Sequence, residues 1–513
     1  MANSPEISIE YVRQCFDRNE TGDGELFARL FRDRFVCNED SERWLEYNGS
    51  YWDYVQPGRI GMAIEQCDLQ YCRLLEQAYK KDACEKKKKV TEQGKKNEDR
   101  TKSGYVKDLE RRVERLHSVR GKEHTLKQAR DVEDPLAVFS NQFDTYPMLL
   151  AVENGVIDLE TGALKAGNPR DYLMRHCSCP YLGNDQKAPR WEKFLDEIFQ
   201  GDAEKIDFFQ TILGYALTGL TSEHYLFCLT GAGANGKSVL METLHEVLGE
   251  FFWTADPDIF LDRNYAKQGG SPNPEMASLR GRRFVAMQEI EPGRKVHVSA
   301  VKRLTGSDTI VCRSPYDRFE VNFKPTAKFF LSFNDRPKGL ARDFAMLRRL
   351  IYIDFPLRFV KDPEHEKRRD PPNAALYRLR DPELQEKLVA EKPGILAALV
   401  RHCLKWQKHG LHPPASVLDA VEKIAKDEDW IGRFLEDVCD VVPEGFVEIG
   451  LFYETFSVWW KNEVDENPNR IPSKRWVADQ LRKRGFVSKR SNSITRFFGL
   501  QLSNTCALTP EHA

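Results

Sequence analysis

Eight residues, Gly231, Ala232, Gly233, Ala234, Asn235, Gly236, Lys237 and Ser238, have the types and the spacing to hold a polyphosphate. They satisfy GxxxxGK[ST], and they fall between an apolar run at 225–230 and a helical pattern at 238–248, the strand–loop–helix setting such a loop requires. Glycines let backbone N–H groups turn toward phosphate oxygens, and the start of the following helix adds the positive end of its dipole. In that setting Lys237 reaches the β- and γ-phosphates and Ser238 ligates Mg²⁺ carried by the nucleotide. ATP and Mg²⁺ are the expected cofactors.

Hydrolysis also needs an acid at the end of a neighbouring strand. The apolar run 284–287 leads into Gln288 and Glu289. Glu289 is expected to polarise the attacking water or hold the magnesium shell, and Glu291 is the weaker candidate. A further apolar run, AKFFLSF, ends at Asn334, whose polar side chain suits the orientation of water against the γ-phosphate. Next comes FAMLRRLIYIDFP. Paired arginines before an apolar strand are unremarkable alone, but in a ring of ATPases one arginine crosses the subunit boundary to neutralise the transition state. Arg348 is the first choice and Arg349 the reserve. A metabolite kinase would need an arginine-bearing lid and an acceptor pocket, and a GTPase a guanine-reading NKxD; neither pattern is evident.

These motifs require a multidomain α/β chain to position them, and 513 residues are too many for one core. Residues 1–79 mix amphipathic helix with a hairpin turning at Asn48-Gly49, an N-terminal α+β module. Residues 80–134 differ: between 80 and 130 there are 18 Lys and Arg against 9 Asp and Glu. They read as a basic, partly flexible insertion or helical connection, or as an electrostatic contact for nucleic acid. Strand-like runs around Asn154-Gly155 and Thr161-Gly162, then helices, fill 135–220. The motor spans 221–411, and after His412-Pro413-Pro414 a separate small module occupies 415–513.

The net charge of −2 hides this local asymmetry. No run of 18 apolar residues exists, so no membrane partner is expected. The first residues carry no signal pattern, and twelve scattered cysteines without a CxxC pair read as reduced thiols of a cytoplasmic protein. His176-Cys177-Ser178-Cys179 has no second half to complete a zinc site.

Together GAGANGKS, FVAMQEIEPGR, KRLTGSDTIVCRSPYDRFEVNFKP, FFLSFNDRP and MLRRLIYIDFP resemble a superfamily 3 helicase of the phage and plasmid primase-helicase type, related to the poxvirus one. The resemblance covers about residues 20–60 and 145–500 and leaves the basic segment unmatched. It implies an AAA+-like P-loop core preceded by a family-type domain and helical collar, and followed by a winged-helix tail. It also implies a homo-hexameric ring that translocates 3′ to 5′ on single-stranded DNA and unwinds forked DNA during replication of a virus, provirus or plasmid, with the bacterial cytoplasm as the expected compartment. A separate primase or polymerase is a further expected partner. Such helicases carry a hairpin in the central channel; here Arg313, Tyr316 and Arg318 form its basic and aromatic tip, able to grip phosphates and stack a base. Lys302, Gly306 and Asp308 match family positions ahead of it, and Lys302 is a candidate nucleotide sensor. Two departures stand out: Gln288 occupies the position where relatives often carry Ser, and no convincing set of primase acids precedes the motor, so primer synthesis is not expected.

In the tail, Lys474, Arg475, Arg482, Lys483, Arg484, Lys489, Arg490 and Arg496 make a basic face where a recognition helix and wing would sit. Arg482 and Arg484 are the leading candidates for duplex contact, a docking surface for a primase or a neighbouring subunit being the other reading. The alternative for the whole chain is an ATP-dependent origin-binding or helicase-loading switch without processive unwinding.

Overall fold

The computed structural model describes residues 7–93, 103–260, 274–288, 296–312, 321–334, 344–427, 429–464, 471–491 and 494–503. It is a multidomain mixed α/β chain that divides into two compact units: Met1–Pro337 with Ile353–Pro414, and Lys338–Tyr352 with Ala415–Ala513.

The first unit begins with helices Ile9–Asp17, capped by the Ser8 side chain, and Asn19–Phe31. A four-stranded sheet follows in the order Trp52–Tyr54, Arg43–Tyr47, Phe35–Asn38, Ala137–Val138. The Asn48-Gly49 turn joins two of its strands, with Tyr47 opposite Trp52. Asn48 Oδ1 accepts the amides of Ser50 and Tyr51 at 3.0 Å each, so the side chain closes the turn locally.

The basic segment is helical where described: the end of Arg59–Gln93, then Gly104–His117 and Val119–Asp131. Its second half contributes to the core of the N-terminal helices. Leu109, Leu116 and Ala129 are buried in one core with Leu26, Phe27, Cys67 and Tyr71. Arg112, one of the many cations, is itself buried and donates to Asp23 at 2.7 Å, while the Tyr71 hydroxyl donates to the same carboxylate at 2.8 Å. The amphipathic spacing of Val106, Leu109, Val113 and Leu116 carries these helices inward, and charge density on the outer face masks it in the sequence.

A meander of Leu149–Val152, Gly155–Asp158 and Ala163–Lys165 and the helices Pro189–Ile198 and Ala203–Ala216 lead to the central sheet. Its order is Leu350–Asp354, Leu226–Thr230, Lys328–Phe333, Phe284–Gln288, Phe252–Ala255. The three ladders joining the last four strands are parallel, and their near-continuous apolar runs suit a sheet covered on both faces. Register matters for function. Thr230 pairs with Phe333 and Gln288 with Ser332, so the chain leaves three adjacent strands at one edge, where open α/β sheets bind ligands.

Two buried cations anchor the opposite edge. Arg283 donates to the carbonyls of Leu217 and Leu149. Lys328 donates to those of Thr218, Leu220 (3.3 Å) and Thr326 (2.9 Å), with its ammonium 5.1 Å from the Tyr215 ring. Burial pushes the Lys328 ammonium well below the usual lysine range and Arg283 down to about 10.

The second unit contains helices Ala415–Asp427, Trp430–Val438, Ile449–Glu463 and Lys474–Lys483 and a three-stranded antiparallel sheet in the order Phe446–Glu448, Ile494–Phe498, Ser488–Ser491. Phe434, Phe452, Phe456, Val477, Leu481 and Phe497 fill its core. Among the described residues no helix is long and apolar enough to cross a membrane.

Candidate functional site

The glycine loop leaves the Leu226–Thr230 strand and enters the helix Lys237–Leu248. Its close packing explains its composition. A Cβ on Gly231 would lie 2.2 Å from Asn235 Nδ2 and 2.6 Å from the Phe355 carbonyl, so no other residue fits there without a shift. Gly236, at the helix start, has φ +89°, a left-handed conformation that favours glycine. The loop is tethered from outside by the Phe359 amide, which donates to the Ala234 carbonyl at 2.6 Å.

Lys237 is buried, and its ammonium donates to the Gly231 carbonyl at 2.7 Å, the Phe333 carbonyl at 3.2 Å and Asn334 Oδ1 at 3.2 Å. The loop lysine and the polar residue ending the neighbouring strand are thus brought together. Asn235 is also buried. Its Oδ1 accepts from the Lys237 amide at 3.4 Å, and its Nδ2 finds no acceptor among the described residues. Ser238 is exposed one residue further on, where the first amides of the helix have no acceptor within the helix.

The loop opens into a cavity of about 900 Å³, lined also by Asn334, Gln288 and Ser332. Two of its walls escaped the sequence reading. Helix Pro189–Ile198 supplies Arg190, Lys193, Phe194 and Glu197; the segment after the central sheet supplies Phe359, Arg378, Leu379, Arg380, Asp381 and Lys387. That segment is built on a parallel pair, Arg358–Val360 with Tyr377–Leu379. Arg190 is tied to Glu197 at 3.2 Å and Lys387 to Asp381 at 3.1 Å; the Lys387 hydrogen bond holds the Asp381 carboxyl below the usual carboxylate range. Arg380 is exposed and makes no ion pair among the described residues. The arrangement therefore offers helix-start amides, Lys237 and Arg380 to a polyanion, and Phe359 and Leu379 to a flat apolar group. A nucleoside triphosphate has both features, and the close-packed glycines and the unpaired Asn235 amide fit its phosphates.

Other expected residues fall elsewhere. Glu289, Glu291, Arg313, Tyr316 and Arg318 lie outside the described residues. The strands flanking the expected hairpin tip are antiparallel partners, with Cys312 opposite Val321. Lys302 sits on the helix Val298–Leu304, the Gly306 carbonyl accepts from Thr221 Oγ1 at 3.3 Å, and Asp308 is exposed. Arg348 is exposed and, with Arg349, belongs to the second unit. The tail's basic face is less open than its composition suggests: Arg482 donates to Asp479 at 2.7 Å and Arg484 pairs with Asp429. Such surface pairs contribute at most about 1 kcal/mol, so a phosphate can compete for either arginine. Cys177 and Cys179 are buried, and burial pushes the Cys177 thiol well above its usual range. No metal-holding group of three or more His, Cys, Asp or Glu occurs among the described residues.

Residues 24–200 match the D5 N terminal like family, and the match runs through the basic segment that the sequence resemblance left out. With the viral relatives that follow, it supports a D5-like primase-helicase family for this chain. "Putative helicase L207/L206" of Acanthamoeba polyphaga mimivirus is 30% identical over 379 residues, 72% of this chain and 39% of that protein. "Putative helicase 121R" of Invertebrate iridescent virus 3 is 26% identical over 58% of this chain and 33% of that protein. "Putative primase C962R" of African swine fever virus is 26% identical over 48% of this chain and 26% of that protein. The chain thus spans about two fifths or less of the length of these relatives. All three come from viruses of eukaryotes, which gives no support to the bacterial compartment expected from the sequence. Among solved structures, the apo C-terminal region of NrS-1 is similar at a TM-score of 0.45 and 12% identity, covering 91% of this chain and 96% of that one.

Proposed function

We propose that this chain is the ATP-driven DNA-unwinding motor of a viral replication apparatus. The observation that carries the reading is the convergence of Lys237 and Asn334, 3.2 Å apart, at the edge of a parallel sheet and at the mouth of the cavity. Relatives named as helicases support it.

In this reading the central sheet is a superfamily 3, AAA+-like core. The loop from Gly231 to Ser238 binds the triphosphate through its amides, and Lys237 exchanges a carbonyl contact for the β- and γ-phosphates. Asn334 orients water against the γ-phosphate while Glu289 draws on its proton. Ser238 and Glu289 would hold a nucleotide-borne Mg²⁺, which would supply Lewis-acid stabilisation of the phosphoryl oxygens. Arg348 enters from the neighbouring subunit of a homo-hexameric ring and neutralises the transition state. Arg313, Tyr316 and Arg318 grip the strand as it moves 3′ to 5′. A winged-helix tail contacts forked DNA through Arg482 and Arg484, and a separate primase or polymerase completes the apparatus.

The test is ATP turnover with and without single-stranded DNA, run beside sizing chromatography and unwinding of a forked duplex. DNA-stimulated turnover by a ring is expected, lost in Lys237→Ala with assembly retained. Unwinding by Lys237→Ala at the normal rate would overturn the mechanism.

A further inference from the structure

The small sheet of the second unit presents an unusual outer face. Phe446 pairs with Phe498 across one ladder, and Val487 lies on the other side of Phe498, its carbonyl accepting the Phe498 amide at 2.9 Å. This row crosses two strands and reaches the residue just before the third, Ser488–Ser491, and its residues are 52%, 37% and 60% exposed, in that order. The adjacent row, Val447 and Phe497, points the other way and is buried at 4% and 0%, as the period of two demands. Single exposed hydrophobics are ordinary, but two phenylalanines and a valine aligned on one open face are not.

The next outward row is charged. Glu448, Arg496 and Lys489 lie side by side across the same three strands. Arg496 lies over the Phe446 ring at 5.3 Å and Lys489 over the Phe498 ring at 5.5 Å. Arg496 neutralises Glu448 at 2.8 Å, whereas Lys489 makes no ion pair among the described residues. From Ser473 to Leu502 the only acid is Asp479, and it is already paired with Arg482.

We infer that this sheet face binds single-stranded DNA, stacking bases on Phe446 and Phe498 and pairing phosphates with Lys489 and Arg496. The surface has the two parts that strand binding without sequence readout requires: aromatic faces for bases and cations beside them for the backbone. A protein-docking patch is a poorer match, because lysine is depleted at the centres of such interfaces. The site is distinct from Arg482 and Arg484 on the helix Lys474–Lys483. It does not depend on nucleotide, and it rests on the motor reading only for the choice of DNA as the strand.

The experiment uses the full chain carrying Lys237→Ala, without nucleotide, so that binding is read apart from hydrolysis. A short oligonucleotide containing 5-iododeoxyuridine is photocrosslinked and the adducts mapped by mass spectrometry; its affinity is measured beside that of an abasic strand of equal length. Crosslinks on Phe446 or Phe498 are expected, with preference for the base-bearing strand. Phe446→Leu with Phe498→Leu keeps the apolar cover of the sheet and removes stacking; it should abolish those crosslinks and weaken binding by about tenfold or more for each ring. Absent crosslinks at both rings, equal binding of the abasic strand, or a leucine double variant that changes only oligomeric state would each overturn the inference. Crosslinks at the rings together with ATP turnover that DNA does not stimulate would leave this site standing and sink the motor.

Discussion

The ammonium of Lys237 lies 3.2 Å from Asn334 Oδ1, linking the start of one helix to the end of the neighbouring parallel strand. The same ammonium also donates to the carbonyls of Gly231 and Phe333, so it does not depend on Asn334 alone for its position. Asn334→Ala should therefore leave nucleotide affinity within about threefold while turnover falls by about a hundredfold, the scale for loss of one preorganised polar group at a reacting centre. Equilibrium binding of a fluorescent nucleotide beside steady-state turnover checks this. Parallel losses in both would reduce Asn334 to a prop for the lysine.

Arg380 gives a contrasting expectation. It reaches the cavity from the segment after the central sheet and has no ion pair to hold it elsewhere among the described residues. Arg380→Ala should raise KM for ATP about five- to tenfold with kcat little changed, the pattern of a contact made equally in ground and transition states. The effect should shrink as salt rises, because the group is exposed.

The contrast between these residues shows what the sequence could disclose. Loop, lysine and Asn334 were legible because each sits at a fixed covalent distance from an apolar run that must be a strand. Arg380 and Phe359 were not, because the cavity wall depends on pairing across sequence: Arg358–Val360 finds Tyr377–Leu379 only through a crossover with no spacing signature. The basic segment is ambiguous in the sequence for a related reason. Its cations outnumber its apolar residues, yet Leu109 and Leu116 recur at helical spacing and decide where the helix packs. In the tail, the Arg482–Asp479 pair is a local contact readable from i,i+3 spacing, whereas Arg484 meets Asp429 from another helix start and needed the fold.

Lys328 begins a central strand with its charge buried among the carbonyls of Thr218, Leu220 and Thr326. Lys328→Met fills similar volume but leaves those acceptors without a donor, a loss on the order of 3 kcal/mol. The first thermal transition of the full chain should fall accordingly, and Lys328→Arg should not restore it, since the bulkier planar group does not fit the same three carbonyls. An unchanged transition in Lys328→Met would mean the carbonyls find other donors.

His402 supplies a pH dependence. It lies on the helix Lys392–His409 against the helix Ala203–Ala216, with its Nδ1–H donating to the Ala398 carbonyl at 2.9 Å. The charged groups facing it are Asp207 at 3.8 Å, Lys405, which pairs with Asp207, and Arg401. Burial pushes its imidazole below the usual histidine range. As pH falls through about 6.5 the unfolded chain takes up this proton before the folded chain does, so stability drops on acidification and is fully present above that pH. His402→Gln keeps a polar side chain and removes the titration. Its unfolding temperature, followed from pH 7.5 to 5.5, should decline less steeply than that of the unmodified chain. Superimposable declines would assign the pH dependence to other groups.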